Sequence, residues 1–251
     1  FGNLTNGNIG IGTTTPGAKL DVAGHIWQTG TGNSVFIGQY AGANDDLSAN
    51  NNTFVGFNAG ATNGSGASND AFGYRALYSN STGGQNTAIG SFTLQNNYDG
   101  WYNTAVGTSS LGSNTSGSSN TAVGNGSLSS NEGGTYNSAM GFQSMFTNTS
   151  GNNNTAQGYR SLYTNLTSSG NTAIGYQALL YATGGNNIAL GYSAGDNLTS
   201  GTNNIIIGSD LNAPVSNGSN QMYIGGILYG DLSNSRIGIG TTSPSAGLHI
   251  K

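Results

Sequence analysis

The sequence predicts an all-β chain, a parallel β-solenoid (β-roll) of about twelve 17-residue coils. Three observations carry that expectation: a fixed stride, a grammar repeated within each stride, and a composition hostile to helix. The stretches "NTAIGSFTL", "NTAVGTSSL" and "NTAVGNGSL" begin at residues 86, 103 and 120. With the glycine that closes each motif as the mark, the register runs Gly38, Gly56, Gly73, Gly90, Gly107, Gly124, Gly141, Gly158, Gly175, Gly191, Gly208 and Gly225. Its steps are 18, then seven of 17, then 16, 17 and 17. Propeller blades and helical repeats need roughly 33 to 50 residues per unit, whereas 17 suffice for two short segments and two turns.

Positions are counted here from the register glycine. At −4 stands Asn in ten of the twelve copies, from Asn52 to Asn204. At −3 Thr is commonest, at −2 Ala, and at −1 an apolar side chain such as Ile89, Val106, Val123 or Ile174, with Gln157 breaking the file. A second apolar file at +4 holds Leu77, Leu94, Leu111, Leu128, Met145, Leu162 and Leu179. Each copy thus contains a short β-type run, a second segment and a Gly/Asn-rich turn. Stacked at about 4.8 Å per coil, twelve copies give about 55 to 60 Å of roll, and a residue type repeated at the stride becomes a ladder. The −4 asparagines are expected to exchange amide hydrogen bonds from coil to coil. The register glycine is expected to supply positive φ or close backbone approach. Both apolar files are expected in the core, with Gln157 as the weak rung. The small Ala and Gly files are expected to leave a flat strand face for a neighbouring subunit.

Composition agrees and excludes several functions. The 251 residues include 44 Gly and 36 Asn, poor helix formers, and only five Lys plus Arg against nine Asp plus Glu. The formal net charge is −4, with 13 Tyr and eight Phe, which is unlike a disordered chain. Basic clusters that would neutralise phosphates are absent, so neither nucleic acid nor an anionic membrane is an expected partner. No run approaches the roughly 18 apolar residues of a membrane helix, so no membrane insertion is expected of this segment. With no Cys, thiol chemistry is excluded. Metal ligands are not expected: His25 and His249 lie in end segments, and Asp45 and Asp46 adjoin in what reads as a solvated loop. "GIGTTTPG" lacks the Lys of a phosphate loop, and no motif asks for a cofactor. Asn-x-Ser/Thr triplets such as those at Asn114 and Asn148 follow from composition and do not imply glycosylation.

A single coil buries too little to hold itself. One Ile-like and one Leu-like side chain contribute roughly 3 to 6 kcal/mol, against about 1 to 2 kcal/mol of backbone entropy per residue. An oligomer is therefore expected.

The "NTAIG" pattern resembles the repeats of YadA-like heads in trimeric autotransporter adhesins, over residues 33 to 225. The resemblance implies a left-handed parallel β-roll assembled as a homotrimer, although the stride here is longer than the usual head repeat. A second signal lies at the ends. "IGIGTTTPGAKLDV" at 9 to 22 returns as "IGIGTTSPSAGLHI" at 237 to 250, a shift of 228. Such segments resemble junctions in phage tail fibres and large bacterial surface fibres. The expected organisation is an N-terminal junction or cap over 1–32, solenoid repeats over 33–230 and a C-terminal junction over 231–251. The parent chain is expected to run on as one module of a longer fibre.

For function, the expectation is an extracellular structural or adhesive module of a trimeric fibre, on a bacterial cell surface or a virion, without catalysis. Its expected partner beyond its own copies is a host-surface glycan or protein receptor. Candidate binding residues are Trp101, in a turn, and the +1 aromatic file of Phe57, Tyr74, Phe142, Tyr159, Tyr176 and Tyr192, with Arg75, Arg160 and Gln177 alongside. Exposed, such rings could bind sugars; buried, they are core or subunit interface, which is the commoner outcome. Alternation does not place the file, because the chain can turn just after the glycine. The alternatives are an ice-binding solenoid, motivated by the Thr file, and a glycan-cleaving tailspike, whose candidate acids Asp99, Glu132 and Asp196 are scattered in turns.

Overall fold

The structure, a computed structural model, describes residues 2–3, 8–11, 20–22, 33–46, 48 and 50–251. His25 and most of the expected N-terminal junction lie outside the described residues.

Twelve parallel rungs build the solenoid, with eleven turns of chain between them and no helix among the described residues. Three short strands precede it: β1 (Gly2–Asn3), β2 (Asn8–Ile11) and β3 (Leu20–Val22). The rungs are β4 (Val35–Ile37), β5 (Thr53–Val55), β6 (Asp70–Phe72), β7 (Thr87–Ile89), β8 (Thr104–Val106), β9 (Thr121–Val123), β10 (Ser138–Met140), β11 (Thr155–Gln157), β12 (Thr172–Ile174), β13 (Ile188–Leu190), β14 (Ile205–Ile207) and β15 (Gln221–Ile224). Pairing is in register, so Thr87, Ala88 and Ile89 lie beside Thr104, Ala105 and Val106. After β15 the chain reverses into antiparallel β16 (Leu228–Asp231) and β17 (Arg236–Ile239), then β18 (Leu248–Ile250), parallel to β17.

The end repeat is structural as well as textual. Ile9 pairs with Leu20 as Ile237 pairs with Leu248, and Gly2 pairs with Ile9 as Gly230 pairs with Ile237. The same 228-residue shift relates every one of these positions, so the shared unit begins before residue 9, where the textual match is weaker.

A strand of three residues can turn only one side chain inward when its middle residue faces the core. Here that residue is the −2 Ala: Ala71, Ala88, Ala105, Ala122, Ala139, Ala156, Ala173 and Ala189 are buried. This corrects the expectation for the −1 file. Ile89 is 42% exposed and Ile174 38%, and both stack on the outer face beside the Thr file. Gln157, exposed in that file, carries no burial penalty within one chain. The flat face of small residues is likewise inside, and the outer face is Thr and Ile or Val.

The +4 file is buried as expected, Leu77 through Leu179 being fully enclosed. Its backbone is not β. Residues at +2 and +4 adopt left-handed φ, as at Arg75 (52°) and Leu77 (52°). The alternation sends N–H groups both ways along the roll: Arg75 N–H donates to Phe57 O of the coil before, and Leu77 N–H to Thr93 O of the coil after. A left-handed leucine costs roughly 1 to 2 kcal/mol, a cost opposed by its complete burial. From Gly38 to Gly191 the register glycines meet both demands expected of them, while Gly208 and Gly225 meet only the positive φ. Gly107 has φ 126°, and a Cβ there would stand 2.7 Å from the Gly124 carbonyl of the next coil.

Two asparagine ladders, not one, run through the core. In the −4 ladder the Asn103 N–H donates to Asn86 Oδ1 at 2.9 Å, and so on from Asn69 to Asn204. The second ladder, at +7, comprises Asn63, Asn80, Asn97, Asn114, Asn131, Asn148 and Asn165, all fully buried. Asn114 Nδ2 donates to Asn97 Oδ1 at 2.7 Å, and Asn131 Nδ2 to Asn114 Oδ1 at 2.7 Å. Both ladders converge on one carbonyl per coil: Gly117 O accepts from Asn103 and Asn114 at 2.8 and 2.9 Å. The triplet asparagines Asn114 and Asn148 are thus core residues whose amides are engaged.

The +7 ladder has a direction and therefore two different ends. Its first donor, Asn63 Nδ2, bonds Asp45 Oδ2 at 2.9 Å, and Asn52 Nδ2 reaches the same oxygen at 3.0 Å. Asp45 is buried at +7 of its own coil, an all-acceptor cap rather than a loop residue in solvent; only Asp46 is exposed. At the far end Asn165 Oδ1 is buried without a partner, because Ala182 occupies the next +7 position.

Candidate binding surfaces

The chain turns the corner at the register glycine, which points the +1 side chain outward. Phe57, Tyr74, Phe142, Tyr159, Tyr176 and Tyr192 are all exposed. In-register stacking makes them two ladders. Phe57 stacks on Tyr74 at 5.6 Å and 7° between planes; Phe142, Tyr159, Tyr176 and Tyr192 stack successively at 5.5, 5.0 and 5.1 Å. Ring faces cover one another, so the surface offers ring edges and tyrosine hydroxyls. Flat stacking of a sugar on these rings is confined to the ladder ends.

Trp101 is a different kind of site. Its indole lies over Gly84 of the coil before, where a Cβ would come within 2.5 Å of the ring. One face is covered by backbone, yet the residue stays 38% exposed. Tyr102 stands 6.1 Å away at 48°, and exposed Tyr98 is in the same turn segment. This is a one-sided aromatic platform.

The structure brings together a pair of clusters that the sequence reading noted only as flanking arginines. Arg75 lies over Tyr74 at 5.6 Å and Tyr78 at 5.2 Å, and Arg160 over Tyr159 at 5.4 Å and Tyr163 at 5.1 Å. The signal was in "GYRALY" and "GYRSLY", whose second tyrosine, at +5, returns to the same face.

The acidic residues are dispersed. Asp99 and Glu132 are exposed at turn positions. Burial, and then the neighbouring Asp210 carboxylate, hold Asp196 above the usual carboxylate range. The backbone N–H of Ser48, with the Ser48 and Asn50 side chains, lowers Asp46. Among the described residues no group of three or more His, Asp or Glu gathers to hold a metal ion, and no helix is long and apolar enough to cross a membrane.

Together the stacked rungs, the interior amide ladders and the outer files define a β-solenoid repeat protein. No family model, curated protein or solved structure matches the chain.

Proposed function

We propose that the chain is a structural and adhesive rod module of an extracellular trimeric fibre, on a bacterial cell surface or a virion, that performs no catalysis. The observation that carries this reading is the outward −1 file. Ile37, Phe72, Ile89, Met140 and Ile174 are exposed and belong to one in-register file along the sheet. Covering the exposed part of such a side chain contributes about 1 kcal/mol per rung, and the in-register repetition of the file lets one partner cover many rungs. A second and third copy of the same rod match it in length and pitch, which favours a homotrimer. Within the fibre the amide ladders stiffen the rod, and Trp101 with its neighbours meets a host-surface glycan or protein receptor.

Sedimentation of the purified chain tests the assembly. A trimer is expected, and Ile89→Asp with Val106→Asp should dissociate it. A monomer with a strand-rich circular dichroism spectrum in the wild type sinks the reading. A glycan array run with Trp101→Ala tests recognition: loss of wild-type signal supports the platform, and a silent wild type leaves a spacer.

One observation favours a second reading. Thr87, Thr104, Thr121, Thr155 and Thr172 stand in register on the same outer face. A free face of this kind orders water, as an ice-binding solenoid requires. The two readings exclude each other on this face, because a trimer covers it. A monomer that shapes ice crystals decides for the second.

A further inference from the structure

We infer that Arg75 and Arg160 form two equivalent receptor points for an acidic glycan carrying widely spaced carboxylate or sulfate groups. This rests on the adhesive reading above and names the chemistry of its ligand. From residue 33 to residue 235 the chain has only these two cationic side chains. They lie 85 residues apart, both at +2, with the same Tyr at +1 and Tyr at +5. Five coils separate them, about 24 Å along the roll at 4.8 Å per coil.

Each guanidinium lies over two rings, its Cζ 5.1 to 5.6 Å from their centroids, which restricts its rotamers. Neither spends its charge on a partner within the chain: no described carboxylate pairs with either one. Arg160 Nε donates to Gln143 Oε1 at 2.9 Å, but in the coil before Arg75 the same position holds Asn58, one methylene shorter, and Arg75 Nε is buried without an acceptor. The enclosed Nε atoms lie out of a ligand's reach, but the terminal nitrogens of both forks have no hydrogen-bond partner in the chain, and such a pair binds a carboxylate or sulfate bidentately, while ring edges and hydroxyls beside it contact sugar hydroxyls. One cation per five coils on a chain of net charge −4 is too sparse for nucleic acid or another densely charged polymer. It suits a polysaccharide with an acid group every few sugars, bound at both points at once.

The test uses the whole chain and a panel of sialylated, uronate-containing and sulfated glycans, each printed beside its carboxyl-reduced or desulfated counterpart. At least one charged member should outbind its neutral counterpart about tenfold or more. Arg75→Gln and Arg160→Gln should each remove most of that preference, and the double variant all of it. Arg→Lys at both points keeps the charge but loses the fork, and should restore less than half. Thermal melts and sedimentation of the variants should match wild type. If no charged glycan outbinds its neutral partner, or the double variant keeps the preference, the inference is overturned while a trimeric rod stands. If the variants lose the trimer instead, these arginines are interface residues and the inference is wrong. Charge-selective binding by a monomer would uphold the arginine points and overturn the trimer.

Discussion

The middle of the solenoid and its two ends fill the same cross-section with different chemistry. From Gly73 to Gly175 the core is Ala at −2, Leu or Met at +4 and, as far as Asn165, Asn at +7. At the N-terminal end Phe36 and Phe54 stand at −2, stacked at 5.4 Å, and the +4 positions are Gly42 and Gly60. A Cβ at Gly60 would collide with the Phe54 ring, and one at Gly42 with Phe36. At the C-terminal end Ile206 replaces the −2 Ala, Gly195 takes a +4 position, and Ala182 and Leu198 replace Asn at +7. In each case a bulky −2 side chain lies against a +4 glycine, so bulk is swapped between the two positions. The amide ladder needs a coil on each side to satisfy every donor and acceptor, so it can fill the middle but not the ends. There it stops on a carboxylate, Asp45, or against an alanine, and apolar bulk takes over.

The swap predicts the largest effects. Leu111→Gly in the middle should cost about 2 to 5 kcal/mol through the cavity it leaves. Ala105→Phe alone should cost about 1 to 3 kcal/mol or more through overpacking. The double variant reproduces the Phe54 and Gly60 arrangement, so its loss in denaturant melts should fall well below the sum. Strictly additive losses would mean that the end and middle coils are not interchangeable.

The ladder gives the next effect. Asn114→Ala strips the acceptor from Asn131 and the donor from Asn97, a loss of about 2 to 4 kcal/mol. Asn165→Ala removes only donors and also deletes an unpaired buried oxygen, so it should cost about half as much. Equal losses would show that direction along the ladder does not matter.

On the outer face, Gln157→Ile should stabilise the proposed trimer by about 1 kcal/mol per subunit and leave a monomer unchanged. Melting at two protein concentrations separates these. The smallest effect is at Asp196. Its folded-state pKa lies above the ordinary 3.8, so ionisation is harder in the folded chain than in the unfolded one. The destabilisation is absent below 3.8, grows as pH rises through the folded value and is full at neutral pH. Asp196→Asn should therefore raise the melting temperature slightly at neutral pH and not at all below 3.8; a rise at low pH would point to packing instead.

The stride, the −4 ladder, the +4 core file and the register glycines could be read directly, because each depends on spacing and residue type alone. The +7 ladder was equally periodic, but its asparagines sit among Ser, Thr and Gly, where composition offers a sufficient explanation for any one of them. Asp45 could not be read as a cap until that ladder was seen. For the candidate sites, the sequence put Trp101 and the +1 file on the map, but not the orientation of a ring.

By itself, then, the sequence determined the repeat, the parallel stacking and the absence of helix among the described residues, since a 17-residue period with Gly and Asn at fixed places admits little else. Only the tertiary structure decided which way each file faces. With three residues per rung, one side chain enters the core and two leave it; the narrow interior, already filled by Leu and two asparagines, accepts Ala and turns Ile89 and its file outward.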